Sequence, residues 1–418
     1  MKKIYIYGLG KCKKYVDECL KKENALIVGY IDNYKAEEYN VWDEKKLIKQ
    51  ADLDEDYDYI VVSIYAYDSI KNSLLSQGIA ERKIICFFDF ADADIEEYWS
   101  IFDSLKWRTN LMWVFCMNHY MTITMPTIQN LNYEIYYNSE SVSAECPKIM
   151  SVEDTVNILN KEKKCLARFG DGEFELMNQK KRPNFQDVDS KLSSRLKEVL
   201  NSNLDNLMVA IADNYGSLDK YTDNAAINIR HYMRKEVREY HMSMLDKNRQ
   251  YYDAYLSRPY IIYRDKIGAK RRFENIKKIW DNQDVLIVEG EYTRFGVGND
   301  LLDNASNVLR ILAPRKNAFS KYEEIFAAVK EFGKNRLILI ILGATATVMA
   351  HDLAKEEFWA IDIGQLDVEY EWYLRNVTER CDIPYKCVSE VKQTHDIITD
   401  DNESFIKKYK SEVIMRIL

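Results

Sequence analysis

The stretch Arg336–Lys355, RLILIILGATATVMAHDLAK, holds a strand, a glycine and a helix in immediate succession. An apolar run of strand length stops at Gly343, and residues at helical spacing follow. The first turn of that helix carries Thr345 and Thr347, so hydroxyls and free backbone N–H groups meet at a helix N-terminus, which is a ready anion site. The same run is the longest apolar stretch in the chain, yet it is too short to span a bilayer and Gly343 interrupts it.

Working outward, runs of the same kind recur at KCLARFG (164–170), DNLMVAIAD (205–213), DVLIVEG (284–290), VLRILAP (308–314), FWAIDIG (358–364) and PYKCVSE (384–390). Most are separated by helical stretches, and the later spacings are those of βα units with short loops. This alternation predicts an α/β fold with a doubly wound parallel sheet from about residue 151 to 418. The first 91 residues read as a second, smaller Rossmann-like unit, with strands at KIYIY, ALIVGYI, YDYIVV and RKIIC. Between them, residues 92–150 lose the alternation and read as a helical linker segment, rich in aromatic residues, in which Trp99, Trp107 and Trp113 are expected to be core.

Composition narrows the function. The 418 residues are 47% hydrophobic and 30% charged with a formal charge of -8, and the acids and bases are interspersed, which argues against nucleic acid as a partner. The densest basic cluster, Lys266–Lys278, reads first as a solvated helix face and second as a contact for an anionic ligand or a membrane surface. Eight cysteines show no C-x-x-C pair and no histidines at zinc spacing, which fits reduced thiols in the cytoplasm. The N-terminus has neither a signal peptide nor an anchor pattern. In the small unit Gly8 and Gly10 start a G-x-G-x-x-K turn that lacks the third glycine of dinucleotide binders, and Asp32 stands where such domains place a ribose-binding acid.

In an open parallel sheet ligands bind beyond the carboxyl ends of the strands. After the first strand of the large domain come Arg168, Gly170, Asp171, Gly172 and Glu173. Two readings stand: Asp171 caps the following helix with acids in its positive first turn, or Asp171 and Glu173 form a D-x-E pair that ligates one hard cation on a diphosphate. After DVLIVEG come Glu289, Glu291, Arg294, Gly296, Gly298, Asn299 and Asp300, suited to a tight loop over phosphate with Arg294 as a planar fork. Alternatively Asn299 or Asp300 caps a further helix. After FWAIDIG come Asp362, Gln365, Asp367, Glu369 and Glu371, the last three alternating as on one strand face or an exposed strand. Together these residues describe a metal-assisted nucleotide diphosphate site. No strand is followed by a nucleophile elbow or a histidine, which removes the Ser/His/Asp and Cys/His alternatives.

Six motifs in order, ARFGDGE, FQDVDSKL, SRPYI, VEGEYTRFGVGNDL, LGATATVMAHDLA and AIDIGQLDVEYEW, resemble the GT-D type bacterial glycosyltransferases, from about Ser151 to the C-terminus. The resemblance implies a GT-D fold and a transferase that takes a UDP-sugar donor and serves a surface glycan, glycoprotein or lipid-linked acceptor. It assigns Mn²⁺ or Mg²⁺ to Asp171 and Glu173. Glu289 and Glu291 become candidates for acceptor activation, and Arg168, Gly170, Arg294, Gly296, Asn299, Thr345, Thr347, Asp362, Gln365 and Glu369 for substrate binding. It also leaves room for partner glycosyltransferases and for peripheral membrane contact. Two positions depart from the pattern: Gln365 stands where the family usually has a histidine, and Ala344 where it has a proline. A glutamine can hydrogen-bond a sugar but cannot act as a base. The competing readings are a nicotinamide-dependent sugar oxidoreductase or epimerase built on the N-terminal G-x-G turn, and a non-catalytic glycan-assembly module.

Overall fold

The computed structural model describes residues 1–135, 146–179, 186–388, 391 and 404–418. They form two compact units, Met1–Thr124 and Met125–Leu418.

In the smaller unit, strands β1 (Lys2–Tyr7), β2 (Ala25–Ile31), β3 (Val41–Trp42), β4 (Lys45–Ile48), β5 (Tyr59–Val62) and β6 (Ile84–Cys86) lie in the order β3-β4-β2-β1-β5-β6. Every pairing is parallel except the β3–β4 hairpin. Alternation along β1 feeds two cores: Ile4 and Ile6 enter one cluster, Tyr5 and Tyr7 the other, as the two-residue period of a strand requires. The segment 92–150, expected as a linker, contributes to both units, with helix Ser104–His119 in the smaller and helix Met125–Ile135 in the larger. Trp107 is fully buried and donates its indole N–H to the Phe87 carbonyl at 2.7 Å. Trp113, expected in the core, is instead 52% exposed.

The larger unit is built on nine strands: β7 (Lys148–Ile149), β8 (Cys165–Phe169), β9 (Leu207–Ile211), β10 (Gln250–Asp253), β11 (Asp284–Gly290), β12 (Asn307–Ala313), β13 (Leu337–Ile341), β14 (Trp359–Asp362) and β15 (Val413–Arg416). Their order is β15-β12-β11-β13-β14-β8-β9-β10-β7, and every pairing is parallel. Strands β9 and β13 are buried at every residue, which is why their sequences are unbroken apolar runs. The helix Ala344–Lys355 lies across β8, β13 and β14 and buries ten of its twelve residues. The PYKCVSE segment is not a strand: residues 384–388 form turns and irregular chain, and 389–390 lie outside the described residues.

Successive strands β8, β9 and β10 step outward in one direction, whereas β13 and β14 return to the middle. Strands far apart in sequence therefore meet at β14 and β8, joined by the single register pair Ile361–Leu166. That reversal is a topological switch point, where loops leave the sheet in opposite directions and open a crevice at the carboxyl ends.

Candidate active site

Strand β8 runs into Gly170, and helix Asp171–Met177 begins at once. The capping position belongs to Gly170, not to Asp171 as expected. Glu173 reaches back so that its Oε2 accepts the Gly170 N–H at 2.8 Å, half of a capping box. Asp171, exposed in the first turn, accepts the Gly172 N–H on Oδ1 at 3.0 Å. Burial pushes the Glu173 carboxyl up to about 7, with the Gly170 N–H and Arg168 pulling it down and Asp362 pushing it up. Both carboxylates thus stand at the mouth of the switch point.

Beside them, Arg168 is held on all sides. Its Nε donates to the Asp362 carbonyl at 2.7 Å, Nη1 to Ser257 Oγ at 2.8 Å and Nη2 to Asp362 Oδ1 at 2.6 Å. Thr347 Oγ1 donates to the Arg168 carbonyl at 2.9 Å and lies 3.3 Å from Asp362 Oδ2. These residues, read from sequence as substrate contacts, clamp the ends of β8 and β14 together. Gly364, at φ +55°, makes room for the clamp, because a Cβ there would sit 2.2 Å from Arg168 Nη2. Burial raises the Asp362 carboxyl, and Arg168 opposes that rise. Thr345 behaves differently: it is fully buried in the first turn of helix Ala344–Lys355, and its hydroxyl has no hydrogen-bond partner among the described residues. Gln365 occupies the capping position of helix Leu366–Leu374 and is half-buried.

The loop after β11 is a separate construction. Glu289 is fully buried: Oε1 accepts from Arg310 Nη1 at 2.8 Å and Oε2 from the Phe295 N–H at 2.7 Å. A carboxylate engaged on both oxygens in the core cannot reach an acceptor, so of the two candidates only Glu291, with a side chain 32% exposed, stands at the surface. Strand β11 is three places from β8 in the sheet, about 14 Å at normal strand spacing, so neither glutamate joins the D-x-E pair. Arg294, at φ +51°, donates from Nη1 to the Tyr385 carbonyl at 2.9 Å. Gly296 turns at φ +70° against Leu302. No helix follows Asn299 and Asp300, which sit in turns leading to β12.

Asp367, Glu369 and Glu371 are not on a strand. Strand β14 ends at Asp362, Gly364 turns the chain at positive φ, and the three lie buried on helix Leu366–Leu374. Asp367 and Glu371, one helical turn apart, hold Asn299 Nδ2 at 2.9 and 2.7 Å and flank the buried Lys386 at 2.5 and 3.4 Å. Glu369 accepts the Tyr260 and Ile261 N–H groups at 3.0 and 2.8 Å and so pins the loop after β10. The basic cluster is a helix face with Lys270, Arg271, Arg272 and Lys277 each in an ion pair.

Sequence reasoning missed two groups at this edge. His241, on helix Lys235–Met244, stacks on Phe174 with ring centroids 3.8 Å apart and lies 2.7 Å from the Tyr215 hydroxyl and 3.1 Å from that of Tyr232. Burial, reinforced by Arg238, holds its imidazole neutral with a pKa of about 3. Asp253, at the end of β10, is pushed up to about 7 by burial and by Asp213 after neighbouring β9. In the smaller unit, Asp32 does not await a ribose: Oδ2 accepts the Leu9 N–H at 3.0 Å and Oδ1 the N–H groups of Tyr34 and Lys35 at 3.2 and 3.1 Å.

Comparison with known proteins bears on both units. A family model described as glycosyltransferase GT-D fold matches residues 166–391, and one described as C2185-like, N-terminal, matches residues 1–85. The chain is 34% identical over 273 residues to a probable glycosyl transferase, Gly, of Streptococcus gordonii, which covers 64% of this chain and 39% of that protein. It is 32% identical over 272 residues to the glycosyltransferase GlyD of Streptococcus pneumoniae serotype 4, covering 65% of this chain and 33% of that one. The chain therefore spans little more than a third of the length of these relatives. A solved structure of the domain of unknown function 1792, described as having a distinct glycosyltransferase fold, superposes with a TM-score of 0.61 at 34% identity over 67% of this chain and all of that one. Another, from Streptococcus sanguinis and described as a new glycosyltransferase, gives 0.59 at 33% identity over 65% of this chain and all of that one.

Proposed function

Because the chain belongs to the GT-D fold glycosyltransferase family, we propose that its larger unit is a metal-dependent glycosyltransferase that moves a sugar from a UDP-sugar to a bacterial surface glycan, glycoprotein or lipid-linked acceptor on the cytoplasmic side. The observation that carries this reading is that Asp171 and Glu173 open a helix directly after β8, at the β14/β8 switch point, beside the helix Ala344–Lys355 packed across β8 and β14. The donor set fits a hard cation: two carboxylates are too few to fill six oxygen positions, which suits an ion that takes its remaining ligands from phosphate and water. When bound, Mn²⁺ or Mg²⁺ would neutralise charge on the departing diphosphate.

The chain's own residues do the rest. Arg168, Asp362 and Thr347 fix the two strand ends, so the D-x-E turn and the Gly343–Thr345 turn keep a constant separation. The helix terminus at the exposed Gly343 offers backbone N–H groups to phosphate oxygens, and Gln365 offers an amide to a sugar hydroxyl. In the transfer, the acceptor oxygen bonds to the anomeric carbon as the bond from that carbon to the diphosphate oxygen breaks. The electron pair leaves with UDP and the acceptor proton passes to a base. No helix among the described residues is long and apolar enough to cross a membrane. Incubating the full chain with a panel of UDP-sugars, with and without Mn²⁺, tests the proposal: metal-dependent release of UDP is expected, and no release from any donor would refute it.

A further inference from the structure

A cavity of about 320 Å³ opens between the helix that starts at Asp171 and the helices Asp223–Tyr232 and Lys235–Met244. The donor-site reading makes no use of it. Asp171 forms part of its wall with Phe174, Tyr232, Tyr240 and His241, and its volume is at the low end for small-molecule sites. The wall is rigid. His241 links the hydroxyls of Tyr215 and Tyr232 while stacked on Phe174, and the Tyr232 hydroxyl lies 3.4 Å from the Asp171 carbonyl oxygen. The position of the aromatic surface is thereby tied to the residue that begins the D-x-E pair.

The chemistry of the lining selects a ligand. Aromatic rings suit the C–H face of a pyranose, and the amides of Asn178 and Asn228 suit its hydroxyls. Arg234 pairs with Glu236 at 3.8 Å and shares the lining with Glu175, so the cavity carries no positive excess with which to hold a diphosphate or a lipid phosphate. We propose that this cavity is the acceptor subsite and binds a neutral pyranose unit of the acceptor glycan beside Asp171. The inference rests on the glycosyltransferase reading for the word acceptor, but saccharide binding is measurable without it.

Saturation-transfer NMR with neutral methyl hexosides, methyl N-acetylhexosaminides and short neutral oligosaccharides, on the full chain, is the experiment. At least one probe should bind the wild type, persist when UDP and Mn²⁺ are added, and lose at least tenfold in affinity in Asn228→Ala with Asn178→Ala. Val237→Trp, which fills the cavity from its rim, should do the same. Thermal unfolding of each variant checks that it is folded. Absence of binding by every probe, undiminished binding in the folded variants, or displacement by UDP alone would overturn the assignment. Failure of UDP to bind while saccharide binding follows this pattern would instead count against the donor reading and leave the saccharide site standing.

Discussion

Replacing Glu173 with glutamine should stabilise the protein and stop its catalysis. The side chain serves as a helix cap through its 2.8 Å bond to the Gly170 N–H, and a glutamine amide oxygen accepts that bond equally well, since Glu and Gln alternate at this position of a capping box. What glutamine removes is the charge. The carboxyl is raised from 4.5 to about 7 by burial, so between those values the folded protein binds a proton that the unfolded chain has released. Stability therefore falls as pH rises through this window, by at most about 3 kcal/mol at roughly 1.4 kcal/mol per unit. Wild type and Glu173→Gln should unfold at similar temperatures near pH 4.5. By pH 8, without added metal, the variant should be the more stable by up to several degrees. Mn²⁺ should raise the unfolding temperature of the wild type alone, and metal-stimulated UDP release should be lost in the variant. A variant that is less stable than wild type at both pH values and keeps its metal-stimulated turnover would show that Glu173 is a cap and nothing more.

Other expectations follow from the same geometry. Arg310→Met leaves Glu289 buried without its ion-pair partner and should cost about 3–5 kcal/mol, much of it recovered by adding Glu289→Gln, as denaturant melts of the two variants would reveal. His241 is neutral in the fold, with a pKa of about 3 against an ordinary 6.5, so protonation favours the unfolded chain and stability falls as pH drops from 6.5 towards 3. The difference in unfolding temperature between wild type and His241→Phe should shift against the wild type over that window, and a constant difference would contradict the burial account. Gln365→His should keep activity with an altered pH profile, while Gln365→Ala should lower kcat/KM by about 1–3 kcal/mol. A rise of several orders of magnitude in Gln365→His would mean that a catalytic group is missing. Gly296→Ala should destabilise the β11 loop, because φ is +70° and a Cβ would meet Leu302 at 2.4 Å, measurable as a lower unfolding temperature.

The central strands β8, β9 and β11–β14 were legible because residues covered on both faces leave mostly apolar runs, broken by Arg168 in β8, Glu289 in β11 and Arg310 in β12. Strands β7, β10 and β15 were not, being two to four residues long and, in β15, exposed at every second position. The β3–β4 hairpin escaped notice because its turn uses Asp43 and Glu44 at positive φ rather than an Asn-Gly signal. Alternating acids at Asp367, Glu369 and Glu371 mimic a strand, yet the helix they occupy is buried all round and has no solvent-facing stripe to betray its period. For the site, residue types after strands located the edge but not the partners. Arg168 and Asp362 bind each other across 194 positions, and Glu289 is consumed by Arg310. His241 lacks any spaced ligand partner in sequence, and only folding brings Phe174, Tyr215 and Tyr232 around it.

The proposed diphosphate site at the β14/β8 switch point is tested most directly by titrating UDP into the full chain by calorimetry, with and without Mn²⁺, and repeating the titration with Asp171→Asn. The expected result is binding that requires the metal and is lost in the folded variant. Equal affinity with and without Mn²⁺, or an unchanged isotherm in Asp171→Asn, would contradict the assignment of Asp171 and Glu173 to the cation.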